Sequence, residues 1–418
     1  MVVQVQSKIR IKQDAMLTAD TLLIPVFNHV KQLVESLPLF TELEFDILPL
    51  LTYARKFRMF QNVIVLGTGG SCLSGKMYTN FKTTSGPKIH FIDNIDSFEW
   101  IKLFQNINPK TTGVIVISKS GNTTETLCQT LMAIEKLDGL PYCDHFLFIT
   151  DQTDSAIRDI AKHYGITCLD HPSGIGGRFA GFSIVGLLPA LIAGIDVKEI
   201  IAGAKDAVAI FIEDGPTIEN AVLNGAFLQN DLFLKGINIS VMFCYADRLR
   251  PFAEWHRQLV AESLGKRETC DTDSSDNIKR YGTTPVIAIG TIDQHSQLQL
   301  YIDGPQDKFF TFIFVGDHPH TQPVKLNGIT NKILSAINGH TMSELMNAHQ
   351  QATLQTIISN KIPVRSIFIS ELDEQAIGYL MMFSILETIA LANIWKIDPF
   401  NQPGVKFVKD KVIELMQN

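Results

Sequence analysis

Runs of lysine and arginine are missing from this chain of 418 residues, and acidic side chains outnumber basic ones by 43 to 36. The formal net charge of -7 and an isoelectric point near 5.9 therefore argue against the extended basic surface of a nucleic-acid-binding protein. A small anion remains a candidate ligand, because a few local cations or backbone N–H groups suffice to bind it. The hydrophobic fraction of 45% is enough for a large core, and the length favours two domains.

Closely spaced cysteines are also missing, which excludes a CxxC redox pair and the usual structural zinc sites. The six cysteines are Cys72, Cys128, Cys143, Cys168, Cys244 and Cys270. Scattered thiols are typical of a reducing compartment, so we expect free thiols and a cytoplasmic protein. The residues after Lys12 contain no clean apolar segment, so no signal peptide is predicted.

Uncharged stretches long enough to cross a membrane are scarce. One candidate, residues 179–195, is close to the minimum spanning length of about 17 residues. Three glycines and Pro189 argue against a span. We therefore expect a buried helix there, bounded by Arg178 and Asp196.

Short apolar runs alternate with amphipathic stretches of helical length over most of the chain. The runs in the first half are VIVLG (63–67), IHFID (89–93), GVIVIS (113–118) and FLFIT (146–150). The runs in the second half are INISVMFCY (237–245), FFTFIFV (309–315) and RSIFI (365–369). Branched, largely uncharged runs favour strands covered on both faces, and this order predicts parallel sheets with helices on either side.

The pattern predicts an α/β protein with two doubly wound parallel-sheet domains, each an αβα sandwich. We place the first domain over residues 59–200 and the second over residues 201–370. Residues 1–58 have a mainly helical pattern. Residues 371–418 are predicted to form a helical C-terminal arm, because residues 375–395 are apolar on most helix faces.

A glycine turn follows the first predicted strand, in VIVLGTGGSCLSGK (63–76). Cys72 stands where a dinucleotide-binding fingerprint needs its third glycine, and Met77 stands where a Walker A loop needs a hydroxyl. What remains is a strand, a tight turn, Ser71 and a helix N-terminus, which together can receive one phosphate. This motif alone leaves a purely structural turn equally open.

Five hydroxyl side chains follow another strand, in GVIVISKSGNTTET (113–126). They are Ser118, Ser120, Thr123, Thr124 and Thr126. A helix N-cap needs only one such side chain, whereas several hydroxyls and N–H groups suit a phosphate dianion. Loops at the carboxyl ends of neighbouring parallel strands border the crevice where open α/β sheets bind ligands. The two segments together predict a phosphate site.

Six motifs together resemble the glucose-6-phosphate isomerase family. In chain order they are GTGGS, VISKSGNTTET, GIGGRFAGFSIVGLLP, RQLVAESLGK, QHSQLQLYIDGP and PFNQPGVKFVK. The resemblance implies two sugar isomerase domains in each chain of a homodimer. It also implies interconversion of glucose 6-phosphate and fructose 6-phosphate through an enediol, without a metal or cofactor.

The resemblance implies four catalytic residues. Glu262 matches the base that moves a proton between C1 and C2, and Arg178 would stabilise charge on the enediolate oxygens. His295 matches the histidine that helps open the sugar ring, which in the family enters from the partner subunit. Lys409 is expected beside the ring oxygen or O1. The ordinary alternatives are a solvated charge for Glu262 or Lys409, an ion-paired arginine and a structural histidine.

Substrate-binding residues follow from the same resemblance. The implied phosphate ligands are Ser71, Ser118, Lys119 through its backbone, Ser120 and Thr123, and Gly70 is a further implied substrate-binding residue. Gln258 and Glu262 are four residues apart and would share one helix face. Gln402 is expected near the phosphate, and Thr126 either caps its helix or binds.

Three positions depart from the family pattern. Ala180 replaces a hydroxyl residue, Leu264 replaces an asparagine, and Lys406 replaces a glutamate or glutamine. Two other functions stay open at this point: an isomerase that also accepts mannose 6-phosphate, and a non-catalytic sugar-phosphate sensor.

One further segment, GDHPH, places His318 and His320 beside Asp317. Such a group could suggest a metal site, but no further ligand-type residue follows closely. We interpret the segment as an ordinary loop.

Overall fold

The computed structural model describes residues 2–6, 8–13, 22–44, 46–267, 279–319 and 321–417. Cys270 and His320 lie outside the described residues. The strands are β1 Val2–Gln6, β2 Ile9–Gln13, β3 Asn62–Leu66, β4 Lys88–Ile92, β5 Thr112–Ile117, β6 Phe146–Thr150, β7 Thr167–Asp170, β8 Ile239–Cys244, β9 Lys266–Arg267, β10 Arg280–Tyr281, β11 Thr284–Ile289, β12 Lys308–Val315 and β13 Val364–Ile369.

The α-helices lie between these strands or after them in the chain. They are α1 Leu23–Ser36, α2 Pro38–Thr41, α3 Leu48–Phe57, α4 Gly70–Asn80, α5 Ser97–Asn106, α6 Thr124–Lys136, α7 Tyr142–His145, α8 Ala156–Tyr164, α9 Ile184–Ala193, α10 Val197–Asp214, α11 Ala221–Leu234, α12 Arg250–Leu264, α13 Leu298–Asp303, α14 Lys332–Ile337, α15 Met342–Ser359, α16 Glu374–Ile394 and α17 Lys406–Gln417. The predicted α/β class with parallel sheets is confirmed, while the proposed domain boundaries stay predictions.

The first sheet is parallel, with strand order β4-β3-β5-β6-β7 in the described part of the chain. Strands β3 to β6 match the four apolar runs of the first half. Strand β7 was not predicted, because it is a four-residue edge strand whose side chains are half-buried or exposed. The chain runs from β3 to β4 on one side and then to β5 on the other, so the topological switch point lies between β3 and β5. The glycine turn and the hydroxyl-rich loop both begin there.

The second sheet joins parallel strands β13, β12, β8 and β11 to an antiparallel hairpin of β1 and β2. The hairpin is an unpredicted addition to residues 1–58, whose described part is otherwise mainly helical, as predicted, through α1, α2 and α3. Ile9 and Ile11 are fully buried, whereas Arg10 and Lys12 are exposed. This two-residue alternation is typical of a strand and was present in the sequence.

Helix α16 packs against α1, α10, α11 and α12. Within the described residues it is the helix long and apolar enough to cross a membrane, and 89% of its most apolar window is buried inside the fold. It is therefore a core helix, and it lies within the helical C-terminal arm predicted over residues 371–418. Helix α17, by contrast, is exposed.

The apolar segment 179–195 forms a 3-10 turn, Gly177–Phe182, followed by α9. Both pieces are largely buried, which confirms the prediction of a buried helix. The Ser183 side chain accepts a hydrogen bond from the N–H of Val185 and so begins α9.

The five cysteines within the described residues are free thiols. Burial raises the pKa of Cys72, and it raises the pKa of Cys244 to about 12. These two thiols are therefore protonated at neutral pH. The cytoplasmic location stays a prediction.

A buried ion pair connects the second sheet to α16. Arg365 on β13 donates two hydrogen bonds to Glu387 on α16, at 2.6 and 2.7 Å, and each residue is only 4% exposed. Gln229 Nε2 donates to Glu387 Oε1 at 2.6 Å, and Arg365 Nε donates to Thr311 Oγ1 at 3.0 Å. Both charges thus have the hydrogen-bond partners that burial demands.

We expect the loss of one member of this pair to destabilise the fold strongly. Arg365→Met leaves the buried Glu387 carboxylate without its oppositely charged partner, which costs about 3–5 kcal/mol. The double variant Arg365→Met/Glu387→Leu should recover most of that loss. Urea unfolding followed by circular dichroism measures both variants, and equal stability of the single and double variants would contradict this account. Lys411→Met, which breaks an exposed pair with Glu414, is the control and should change little.

Candidate active site

The turn between β3 and α4 leaves no room for side chains at its glycines. Gly69 has a φ of 54°, in the left-handed region that favours glycine. A Cβ on Gly69 would lie 2.8 Å from Nε2 of Gln258, and a Cβ on Gly70 would lie 2.2 Å from the carbonyl carbon of Gly177. The absence of side chains therefore lets the start of α4 contact both α12 and the turn before α9.

Helix α12 presents the candidate base on a partly exposed face. The Glu262 side chain is 32% exposed. Gln258, one helical turn earlier, donates a hydrogen bond of 3.0 Å from Nε2 to Glu262 Oε1. Trp255 and Leu259, also on α12, are fully buried and fix the helix in the core.

Arg178 is 1% exposed and contacts several of the predicted site residues. Its Nη1 donates to Glu262 Oε2 at 3.0 Å and to Gln402 Oε1 at 2.8 Å. Its Nε donates to Ser263 Oγ at 2.8 Å. The 3-10 turn, the end of α12 and the C-terminal segment therefore meet at one guanidinium group, which we call the Arg178 cluster (Arg178, Glu262, Ser263 and Gln402).

Electrostatics in this cluster favour a charged arginine beside a carboxylate. Burial lowers the pKa of Arg178 below its ordinary value, and the negative charge of Glu262 opposes that shift. Arginine stays protonated at neutral pH in proteins. Arg178 therefore does form an ion pair, which was the ordinary alternative to a catalytic role. Its partner, however, is Glu262, the predicted base. An anion that forms beside this base would lie close to the guanidinium.

The C-terminal segment before α17 is fixed over the end of α12. Arg178 Nη2 donates to the backbone carbonyls of Pro399 at 2.5 Å and Asn401 at 3.1 Å. Lys266 donates from Nζ to Asn401 Oδ1 at 3.1 Å and also to the Asn401 carbonyl. Burial and the nearby charge of Arg178 lower the pKa of Lys266. Lys266 and Ser263 were not predicted from the sequence, although both lie in RQLVAESLGK.

The loop between β5 and α6 carries the predicted phosphate ligands. Ser118 is 3% exposed and donates to Thr123 Oγ1 at 3.4 Å. Ser120 Oγ accepts a hydrogen bond of 3.3 Å from the N–H of Asn122. The carbonyl of Lys119 accepts two hydrogen bonds from residues at the end of β6. These contacts fix the loop backbone at the switch point of the first sheet.

The start of α4 adjoins this loop. A Cβ on Gly67 would lie 2.7 Å from the carbonyl oxygen of Ile117 and 2.9 Å from Cβ of Ser71. Thr126 lies inside α6 and is 1% exposed, and its hydroxyl has no hydrogen-bond partner within the described residues. It therefore does not cap α6. The N-termini of α4 and α6 lie at one edge of the sheet, where their N–H groups favour an anion.

A family model described as phosphoglucose isomerase matches residues 51–417 of this chain. The chain belongs to the phosphoglucose isomerase family. It is therefore an aldose–ketose isomerase, as the six motifs predicted. Membership of an enzyme family also speaks against the alternative of a non-catalytic sensor.

Relatives in this family match most of the chain. The glucose-6-phosphate isomerase of Carboxydothermus hydrogenoformans is 33% identical over 378 residues, which cover 87% of this chain and 80% of that protein. The glucose-6-phosphate isomerase of Rubrobacter xylanophilus is 35% identical over 357 residues, with coverage of 82% and 79%.

Two crystal structures share the fold. A hypothetical protein from Thermus thermophilus superposes with a TM-score of 0.84 at 28% identity, over 95% of each chain. A glucose-6-phosphate isomerase from Chlamydia trachomatis superposes with a TM-score of 0.74 over 98% of this chain and 88% of that one. At 20% identity the second likeness shows the fold alone.

Two residues predicted from the phosphoglucose isomerase motifs do not join the Arg178 cluster. Lys409 is exposed on α17, and His295 is exposed after β11. Helix α12 ends beside the start of β11, since a Cβ on Gly282 would lie 3.1 Å from Cα of Gly265. Strand β11 has six residues and so spans about 20 Å. Glu262 and His295 of one chain therefore lie at opposite ends of this strand.

The GDHPH loop is held by hydrogen bonds of its acidic residue. Asp317 Oδ1 accepts from Arg248 Nη2 at 2.7 Å and from the N–H of Leu372 at 3.1 Å. Burial lowers the pKa of His318. These contacts tie the loop to the ends of β8 and β13.

The two buried departures from the family pattern, Ala180 and Leu264, belong to the hydrophobic core.

We expect Gly70→Ala to disturb the site, because the new methyl group would force α4 away from Gly177 and thereby displace Arg178. The expected result is a fall in kcat/KM of about tenfold or more. Coupled enzymatic assays with fructose 6-phosphate measure it. Gly404→Ala is the control, since a Cβ there would meet no atom within 4 Å. Equal activity of the two variants would show that the contact between α4 and Gly177 is dispensable.

Proposed function

We propose that this chain interconverts glucose 6-phosphate and fructose 6-phosphate, with Glu262 as the base that moves a proton between C1 and C2. The observation that carries this assignment is the position of Glu262. Its carboxylate lies between Gln258 and Arg178, and Gln258 in turn contacts the glycine turn at Gly69. The names of the relatives and the family match support the reaction.

The phosphate binds, in this proposal, to the hydroxyls and N–H groups at the switch point of the first sheet. The ligands are Gly70, Ser71, Ser118, the backbone of Lys119, Ser120 and Thr123. Binding of this non-reacting group holds C1 and C2 of the open-chain sugar against the base, so affinity is converted into orientation.

Proton transfer then proceeds through a cis-enediol. Glu262 removes the proton from one carbon and returns it to the neighbouring carbon, while a hydroxyl proton passes from O2 to O1 in the direction of the ketose. With both protons accounted for, the reaction balances without an external oxidant or reductant. Arg178 lies 3.0 Å from the Glu262 carboxylate and is positioned to stabilise the negative charge that develops on the sugar oxygens. Gln402 orients the guanidinium through its 2.8 Å hydrogen bond, a role that differs from the expected position near the phosphate.

We further propose that the working enzyme is a homodimer in which His295 of one protomer opens the sugar ring bound by the other. The separation of Glu262 and His295 along β11 supports this arrangement, because one chain cannot bring both to the same sugar without rearranging its second sheet. Lys409 is assigned to the ring oxygen or O1, which requires α17 to pack over a site in the assembled enzyme.

We expect Glu262→Gln to lower kcat by about 10²- to 10⁴-fold with little change in substrate affinity, since the amide keeps the shape of the side chain but cannot accept the proton. Steady-state kinetics and substrate titration by calorimetry measure the two effects. Glu254→Gln, two turns earlier on α12, is the matched control and should keep its turnover. Unchanged turnover in the Glu262→Gln variant would refute the base assignment.

The shared-site arrangement predicts complementation between two inactive variants. Glu262→Gln and His295→Asn protomers, mixed equally and allowed to exchange, should recover about a quarter of wild-type activity, because half of the dimers are mixed and each has one intact site. If both residues served the same chain, mixing would restore nothing. Gel filtration of the mixture checks that dimers form.

A further inference from the structure

The turn that carries His295 is attached to α15 through a neighbouring glutamine. Gln294 Nε2 donates to Tyr245 Oη at 2.8 Å, to Thr353 Oγ1 at 2.5 Å and to the carbonyl oxygen of His349 at 3.3 Å. Gln294 Oε1 lies 2.9 Å from Nδ1 of His349. All of the polar atoms of this amide therefore have partners.

The surroundings give the Gln294 amide one favourable orientation. The reverse orientation would place Oε1 against the carbonyl oxygen of His349, where two acceptors would repel each other. Nδ1 of His349 must then carry a proton and donate it to Oε1, as it can in the neutral ring and does in the imidazolium.

The partners of Gln294 are themselves firmly placed. Tyr245 is fully buried and Thr353 is 4% exposed. A Cβ on Gly290 would lie 2.4 Å from the Tyr245 ring, so the start of the turn packs directly on that ring. His349 and Thr353 are one helical turn apart on α15, whose N-terminus is closed by a capping box. The turn is therefore joined to a rigid helix and to the end of β8.

We propose that Gln294 is a positioning residue for ring opening: its amide fixes the turn so that the next residue, His295, is presented at a constant position to the sugar. This inference rests on the proposed role of His295. The Gln294 amide is engaged by Tyr245, Thr353 and His349, so in this proposal it acts through His295 and not on the sugar. A general acid–base group must lie within hydrogen-bond reach of the proton it moves, so a displacement of about 1 Å lowers the rate strongly.

Ring opening can be measured apart from isomerisation. Opening breaks the bond between the anomeric carbon and the ring oxygen, while the anomeric hydroxyl loses a proton and the ring oxygen gains one. Closure on the other face then yields the other anomer. Exchange between the two anomers of glucose 6-phosphate therefore reports ring opening without any proton transfer between C1 and C2.

The test compares the Glu262→Gln variant with the double variant Glu262→Gln/Gln294→Leu. Glu262→Gln removes isomerisation, so anomer exchange can be followed by itself with magnetisation-transfer NMR. We expect Gln294→Leu to lower enzyme-catalysed exchange by about 10- to 100-fold. Gln299→Leu in the same background is the control, since this exposed glutamine donates its hydrogen bond to Asp303, one turn later on the same short helix. Exchange at the rate of Glu262→Gln alone would overturn the inference.

Two additional variants separate the possible failures. His349→Phe removes one hydrogen bond of Gln294 and should reduce anomer exchange less than Gln294→Leu does. It provides a milder test in case the Gln294→Leu protein does not fold. Full exchange in a folded, dimeric His349→Phe protein, together with an unfolded Gln294→Leu protein, would also contradict the proposal. His295→Asn tests the proposed function on which this inference rests. If His295→Asn leaves anomer exchange unchanged, the role of His295 itself is wrong. If exchange is lost with His295→Asn but not with Gln294→Leu, only the positioning role of Gln294 is refuted.

Discussion

The buried guanidinium of Arg178 is the constraint on which the site depends. A charge withdrawn from water must find partners, and this one finds them on three segments that are distant in the sequence: the residue itself before α9, the end of α12, and the segment before α17. The hydrogen bonds that the Arg178 guanidinium requires thus bring together the base, the side chains that orient it and the C-terminal segment. The glycines at the start of α4 serve the same end, because they allow the backbone of Gly70 to contact that of Gly177.

The two sheets contribute different parts of the chemistry. The first offers a crevice at the carboxyl ends of β3 and β5, where hydroxyls and helix N-termini favour a phosphate. The second supplies α12 with the base near the start of β11 and the turn of His295 beyond its end. Glu262 and His295 are far apart within one chain. In the proposed two-fold dimer, Glu262 of one protomer would lie close to His295 of the other, because an isologous interface brings one end of a protomer to the other end of its partner.

Much of this arrangement was present in the sequence. Apolar runs gave the central strands, and the motifs gave Glu262, Gln258, Arg178 and Gln402, which the structure brings together. What escaped prediction has physical reasons. Strand β7 is too short and too exposed for a strong pattern, and Lys266 acts through a backbone carbonyl 135 residues away, which periodicity cannot indicate.

The N-terminal hairpin was missed for a different reason. It alternates as a strand should, yet it is a short run followed at some distance by the helices α1 and α3, and these dominated the interpretation of residues 1–58. Strand β2 finds its partner in β13, near the other end of the chain, so local sequence could suggest a strand but not its place in a sheet.

This pairing has a consequence for how the chain matures on the ribosome. Strand β2 pairs with β13 at residues 365–369, so β2 is synthesised more than three hundred residues before the strand beside which it lies. The strands of the first sheet, by contrast, lie within residues 62–170 and can pair as soon as they leave the exit tunnel. Loop closure over so long a separation is slow relative to local pairing. The hairpin of β1 and β2 must therefore lack its neighbour β13 for most of translation. Its addition to the second sheet belongs among the last steps that complete that sheet.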